Sequence, residues 1–557
     1  MKKTFLLTAL LFLSFFAAIF ACGTLEVFLI KAAAAAANSG EREFVFFVDN
    51  VENRPAGSFE LGDIVLEVNG VSLDEFTDLK KLSVKMFKVL ECRNISAVVL
   101  RNGKKTSVSE NNFNDQSKSI NFNILKKSPR YIDKAALKSD IEALVPKIAE
   151  TYVKYDPKKF AGAAEDFVAK LPVTLIGDKI EYTTVAMTLL KLGALYGDGH
   201  FGLLAPEIAG EALYELVAGC VPLFPLSVEV NRRSVFVTRD GRRYMLKTIN
   251  GEDIGAVLSR MKELIPKESA GFVDSEIETQ FWFFYYLIKG GCAKFKITGS
   301  GADGDVSFEV SGVAYTEIMR ARNVGLKDYE FRIIKGVGVI AVNTFDYSDF
   351  SKYNYKNFLE KTFKEIREKK ITKLIIDIRK NKGGNTDYAT DLLRYLSDKP
   401  ADYWEASVLK CSRTAQDSGY TFEKGMKPGD VKRYKWQGGG TGGAKKNELR
   451  YGGRTVLLIG KNCFSTSLDF AVAFKKMGIG KTIGENTGGT CESTDRGVRA
   501  ELPSVGLKFC IPARYYISAA AGFDADGTLA PDVRVESEGA EFSTGDTTLE
   551  FALDQLK

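Results

Sequence analysis

Leu374-Ile375-Ile376-Asp377-Ile378-Arg379-Lys380-Asn381-Lys382-Gly383-Gly384 is the stretch on which the fold turns. An apolar run broken only by Asp377 ends in an asparagine and a Gly-Gly step. Such a short continuous run, closed by turn residues, predicts a strand buried on both faces. The Gly-Gly step has two readings: it aims backbone N–H groups into a site at the strand end, or it only supplies turn geometry.

The pattern extends to both sides. Val337 to Val342 and Thr455 to Ile459 predict strands; Tyr355 to Arg367, Tyr388 to Leu396 and Leu468 to Lys476 predict helices. Strands alternating with helices predict parallel crossover units, so residues 331–557 read as an α/β core. Within it, residues 424–453 are basic and glycine-rich, including Gly438 to Gly443, and read as a surface loop. The Gly-Lys-Ser/Thr ending of a phosphate-binding loop is missing there.

Upstream, residues 209–330 read as a mixed β/α segment, with a strand at Ser234 to Thr238, a turn at Asn250-Gly251 and an aromatic helix at Phe281 to Leu287. Residues 127–208 read as helical. Leu137, Ile141, Leu144 and Ile148 recur at helical spacing, as do Val185, Leu189, Leu192 and Leu195, until Gly197 and Gly199 break the pattern. Residues 43–126 read as a small β module, with strands at Phe44 to Val48, Ile64 to Val68 and Ser96 to Leu100. Its turns are Leu61-Gly62-Asp63, Asn69-Gly70 and Arg101-Asn102-Gly103-Lys104. The whole predicts a multidomain α/β protein.

Lys2 and Lys3 precede an apolar run from Phe5 to Ala21, which reads as a signal segment over residues 1–22. The run is short for a membrane span, which needs about 20 residues. Ile19-Phe20-Ala21-Cys22 is open to two readings: a lipoprotein box with Cys22 lipidated, or an ordinary signal cut nearer the alanines at 32–37. Either predicts an extracytoplasmic protein, whether periplasmic, tethered at a membrane through Cys22, or secreted.

With 45% hydrophobic and 27% charged residues and a net charge of +6 over 557 residues, the chain reads as globular. The small net charge gives no case for nucleic-acid binding, for which a concentrated basic patch is expected. Eight scattered cysteines without a C-x-x-C pair argue against a disulfide framework. A single histidine and no paired ligand spacing argue against zinc, and no metal or cofactor is expected.

That one histidine, His200, sits in Gly197-Asp198-Gly199-His200-Phe201-Gly202. Its reference pKa of about 6.5 suits proton transfer, though an isolated histidine also serves structural roles. Ser465, in Cys463-Phe464-Ser465-Thr466-Ser467, falls between a predicted strand and a predicted helix. A serine on that turn projects clear of the sheet, next to the free N–H groups of the helix start; helix capping by Ser465 or Ser467 is the alternative.

Taken together, these stretches resemble the C-terminal processing (tail-specific) peptidase family, which includes the tricorn core and retinoid-binding protein repeats. Residues 43–126 resemble its PDZ domain, and Leu195 to His200 resembles its Asp-Gly-His motif. Ile376 to Gly384 resembles its Leu-Arg-x-Asn-x-Gly-Gly motif. Cys463-Phe464-Ser465 falls at its serine, followed by Gly484-Glu485-Asn486-Thr487-Gly488-Gly489 and Ala530-Pro531-Asp532-Val533. Where one branch of the family carries a catalytic lysine, this chain has Thr490, so the resemblance implies the tricorn-like serine/histidine type.

The resemblance implies an endopeptidase acting on unfolded or processed polypeptides, with Ser465 as nucleophile, His200 as general base, and Gly383 and Thr466 N–H groups as oxyanion hole. Tricorn-like enzymes add a glutamate before the Pro-Asp motif. Here Asp526 or Asp524 stands in that region, and Asp198 has two readings, an orienting partner of the histidine or a plain turn residue. The PDZ carboxylate-binding loop has only Gly23-Thr24-Leu25 to represent it, so either that loop is degenerate or the pocket is missing. A second expectation follows from the same scaffold: a catalytically inactive protein that binds peptides or apolar ligands.

Overall fold

The computed structural model describes residues 44–52, 57–60, 62–73, 93–101, 104–111, 113, 119–126, 131–160, 178–203, 216, 221–231, 234–318, 321, 327–345, 349–399, 403–436, 447–519, 522–535 and 545–557. The predicted signal segment, Cys22 and Gly23 to Leu25 lie outside these. The chain divides into two compact units, the first comprising residues 1–127 with two short additions and the second most of the remainder.

The first unit holds an antiparallel six-stranded sheet built from Phe44–Glu52, Ile64–Val68, Val71–Ser72, Asn94–Arg101, Lys104–Asn111 and Ser119–Lys126. Asn69 and Gly70 both take positive φ, 48° and 76°, and Val68 pairs with Val71 across them. This is the left-handed pair a two-residue hairpin turn requires. The fully buried Asp63 carboxylate takes two hydrogen bonds from Arg101, at 2.8 and 2.6 Å, which pins the preceding turn to the sheet.

The second unit begins with helices α1 (Lys134–Thr151) and α2 (Tyr182–Ala194). A second antiparallel six-stranded sheet spans Val228–Asn231 to Gly304–Ser311. It packs on α3 (Ala270–Lys289), the predicted aromatic helix extended at both ends, whose Phe281, Phe283 and Phe284 are buried.

The α/β core is a six-stranded sheet in chain order: β1 (Tyr329–Ile334), β2 (Val337–Val342), β3 (Lys373–Asp377), β4 (Arg454–Ile459), β5 (Gly480–Gly484) and β6 (Val533–Arg534). Strands β2 to β6 pair in parallel, and β1 joins β2 antiparallel at the edge. Helices α4 (Asp349–Glu368), α5 (Thr386–Leu396) and α6 (Thr466–Lys476) cover one face, packing on Ile340, Ile376 and Leu457. Helix α7 (Thr547–Gln555) covers the other face, against Val339, Ile375 and Leu458. Burial on both faces explains why β3 reads as an unbroken apolar run.

One expectation is corrected. Residues 424–453, read as a loop, contain the strand Val431–Lys435, which pairs antiparallel with Trp404–Lys410. It is an exposed edge strand, Val-Lys-Arg-Tyr-Lys, and carries no buried face to give an alternating pattern.

Candidate active site

Strand β4 runs into Gly460-Lys461-Asn462-Cys463-Phe464, and Ser465 follows at the mouth of α6 with φ 54° and ψ −130°. A non-glycine residue in that region is strained. The Ser465 side chain makes no capping bond. Ser467 instead fastens the turn: its hydroxyl accepts from Phe464 N–H at 2.9 Å and donates to the Asn381 carbonyl at 2.6 Å. The hydroxyl of Ser465 is thereby left facing outward from a rigid elbow.

His200 arrives from the turn after α2. Gly197 has φ 67°, and Gly202 pairs with Cys510 through two 2.9 Å backbone bonds. A Cβ on Gly199 would stand 2.7 Å from both Glu268 and Phe272, so the glycine beside the histidine serves close packing by the protein itself. The His200 ring stacks on Phe464, with centroids 4.5 Å apart. Its Nε2 lies 3.3 Å from Ser465 Oγ. The structure therefore brings these two sequence candidates together.

Behind the histidine, Nδ1 lies 3.4 Å from Thr494 Oγ1, on the strand Glu492–Thr494. Thr494 Oγ1 donates to Asp198 Oδ1 at 2.7 Å. The same oxygen accepts the His200 backbone N–H at 2.9 Å, and Tyr152 OH donates to Asp198 Oδ2 at 3.1 Å. Since the threonine proton is committed to Asp198, its lone pairs face the imidazole. That selects the tautomer with the proton on Nδ1 and leaves Nε2 as acceptor toward Ser465. Burial pushes the His200 pKa down to about 4, against the pull of Asp198 and with the help of Arg496 and Lys154.

The two other expected acids are engaged elsewhere. Asp526 accepts from Thr528 N–H and Oγ1 at 3.1 and 2.7 Å, while Asp524 accepts from Asn486 at 2.6 Å. Among the described residues neither bonds to His200. Glu268 was not singled out in the sequence. It accepts hydrogen bonds from Gly199 N–H at 2.7 Å and from the Thr490 hydroxyl at 3.2 Å, bracing the histidine turn against Thr490. Glu268 is half-buried, and burial, then nearby Asp198, pushes its carboxyl up to about 7.

Of the expected oxyanion donors, Thr466 contributes one of the first N–H groups of α6, which lack a partner within the helix. Gly383 lies against Ser465, but its N–H donates to Asn381 Oδ1 at 2.8 Å and so is internally bonded. Its φ of 96° and a Cβ position 2.6 Å from the Phe464 carbonyl admit only glycine.

Thr494 and Glu268 carried no signal in the sequence: one is an ordinary strand threonine, the other precedes a helix by two residues. Ser269, the α3 cap, was the readable mark beside Glu268, since its hydroxyl accepts from Phe272 N–H at 3.0 Å.

Residues 336–535 match the family described as peptidase family S41. Among solved structures, mature CPAF complexed with lactacystin is 14% identical with a TM-score of 0.51, covering 76% of this chain and 97% of that one. Mature CPAF alone is 14% identical with a TM-score of 0.50, covering 72% and 93%. The photosystem II D1 C-terminal processing protease is 15% identical with a TM-score of 0.38, covering 76% and 97%. At these identities the CPAF structures speak to the fold alone. No curated protein matches the chain by sequence. Residues 336–535 thus carry a peptidase family S41 region, and the chain is a serine-type peptidase.

Proposed function

We propose that the protein is an extracytoplasmic endopeptidase that cuts unfolded or processed polypeptides through an acyl-enzyme on Ser465, with His200 as general base. The observation that carries this reading is the 3.3 Å approach of His200 Nε2 to Ser465 Oγ, from positions 265 residues apart in sequence. As Oγ attacks the peptide carbonyl, Nε2 takes its proton. The imidazolium that forms is held through Nδ1–H to Thr494 and, beyond it, to the Asp198 carboxylate. The proton then passes to the leaving amine, and water hydrolyses the acyl-enzyme by the same route. Thr466 N–H meets the developing oxyanion at the positive end of α6, and Gly383 N–H joins it on leaving Asn381. Asp198, reached through Thr494, takes the orienting role here in place of Asp526 or Asp524. The extracytoplasmic setting, with a membrane tether through Cys22, rests on Lys2, Lys3 and the apolar run that follows.

The test is fluorophosphonate labelling and casein cleavage by the full chain, beside Ser465→Ala and His200→Ala. Labelling and cleavage by the wild type, both lost in the serine variant and strongly reduced in the histidine variant, are expected. A wild type that neither labels nor cuts would return the chain to the peptide- or apolar-ligand-binding reading.

A further inference from the structure

Ser465 opens onto a cavity of about 450 Å³, within the usual range for ligand sites. One wall of it holds an acid that has no charged partner among the described residues. Asp469 stands four residues beyond Ser465 on α6, and its N–H donates to the Ser465 carbonyl at 3.1 Å. Asp469 therefore lies about one turn along α6 from the Ser465 cap, four residues or roughly 6 Å of rise, and both residues line the cavity. Asp469 is only 4% exposed, yet it lines the cavity. Its carboxylate receives one hydrogen bond among the described residues, from Trp404 Nε1 at 2.8 Å. Burial pushes its carboxyl up to about 7, and that indole bond alone pulls it back.

The other acids on the wall are already answered. Glu276 pairs with Lys382 at 2.7 Å, and Asp495 accepts from Tyr420 OH at 2.8 Å. The rings beside Asp469 also suit a cation. Trp404 stacks on Tyr516, with centroids 4.3 Å apart and 25° between planes, and both line the same cavity. Aromatic rings that line the cavity beside a carboxylate with no charged partner among the described residues offer an apolar wall for the stem of an ammonium or guanidinium whose charge meets the carboxylate.

We propose that Asp469, with Trp404 and Tyr516, forms a side-chain subsite beside the nucleophile that takes a lysine or arginine of the substrate next to the scissile bond. This rests on the peptidase reading above and adds a substrate class to it. Burying the carboxylate without a partner is costly, and a substrate cation removes that cost on binding. A hydrogen bond to a charged group is worth roughly 10- to 150-fold in binding.

The experiment compares the full chain on quenched peptides that differ at one position, lysine, arginine or methionine, with cleavage sites mapped by mass spectrometry. The readout is the ratio of kcat/KM for the basic over the methionine peptide. The wild type is expected to favour the basic peptides by at least about tenfold, with cuts adjacent to the basic residue. In Asp469→Asn, which keeps an oxygen for Trp404, the ratio is expected to fall toward one, and Asp469→Ser serves if the asparagine variant misfolds. A wild type that labels with fluorophosphonate and cuts without preference, or variants that keep the preference, would overturn the subsite and leave the peptidase reading standing. No labelling and no cleavage would remove both.

Discussion

Thr494 gives its only hydroxyl proton to Asp198, at 2.7 Å, and this decides what it offers His200. A threonine so committed presents lone pairs to Nδ1 and holds the imidazole in one tautomer. Asp198 acts on the histidine through its backbone N–H and through Thr494, at one side chain's remove.

Replacing the threonine tests this directly. Thr494→Val keeps the shape and removes the hydroxyl, so kcat on a peptide substrate is expected to fall by about 10²-fold or more, with KM little changed. Thr494→Ser retains the hydroxyl and is expected to recover most of the rate. Equal loss in both variants, at unchanged melting temperature, would contradict the relay.

The acid limb of the pH–rate profile is expected well below the usual histidine range. Burial lowers the His200 pKa to about 4, so the neutral base persists as pH falls through 6.5 and is lost only near 4. Fluorophosphonate labelling rates from pH 3.5 to 8 measure this; an inflection near 6.5 would count against the buried, dry setting of the ring.

Glu268 predicts how stability responds to pH. Its pKa is raised from 4.5 to about 7 in the folded chain, so its stabilising contribution is full below 4.5 and is lost as pH rises toward 7. Asp469, raised to about 7 by burial, acts in the same direction. His200 acts oppositely, contributing above 6.5 and losing that contribution as pH falls toward 4. Glu268→Gln is expected to flatten the fall in melting temperature between pH 5 and 8, read by scanning calorimetry.

Gly383→Ala is expected to abolish labelling of Ser465. The methyl would meet the Phe464 carbonyl at 2.6 Å and Ser465 Cβ at 2.9 Å, at a φ of 96° that costs an alanine roughly 1–2 kcal/mol. Gly57→Ala, at φ 85° but in open space, shares the backbone strain without the clash and is expected to leave labelling intact.

The core was legible because its strands are buried on both faces, so that Leu374 to Ile376 declared themselves by composition alone. Ser465 was legible because a strand and a helix meet there. The partners behind His200 were not. Thr494 and Glu268 gain their meaning from contacts spanning 294 and 69 residues, to the ring and to the Gly199 N–H, and local pattern carries no trace of such contacts. The edge strand Val431–Lys435 escaped for a different reason: with no face to bury, it has the composition of a loop.

The order in which the chain is made has a bearing on the cell that makes it. His200 leaves the ribosome first, and Ser465 follows 265 residues later. At about 5–20 residues per second, that is roughly 13 to 50 s of translation. On the proposed roles, the growing polypeptide throughout this interval holds the base without its nucleophile, and Thr494 comes later still. Prematurely terminated products that stop short of these residues are therefore expected to be inert, so that the proteolytic hazard would arise only with a chain long enough to fold the whole site.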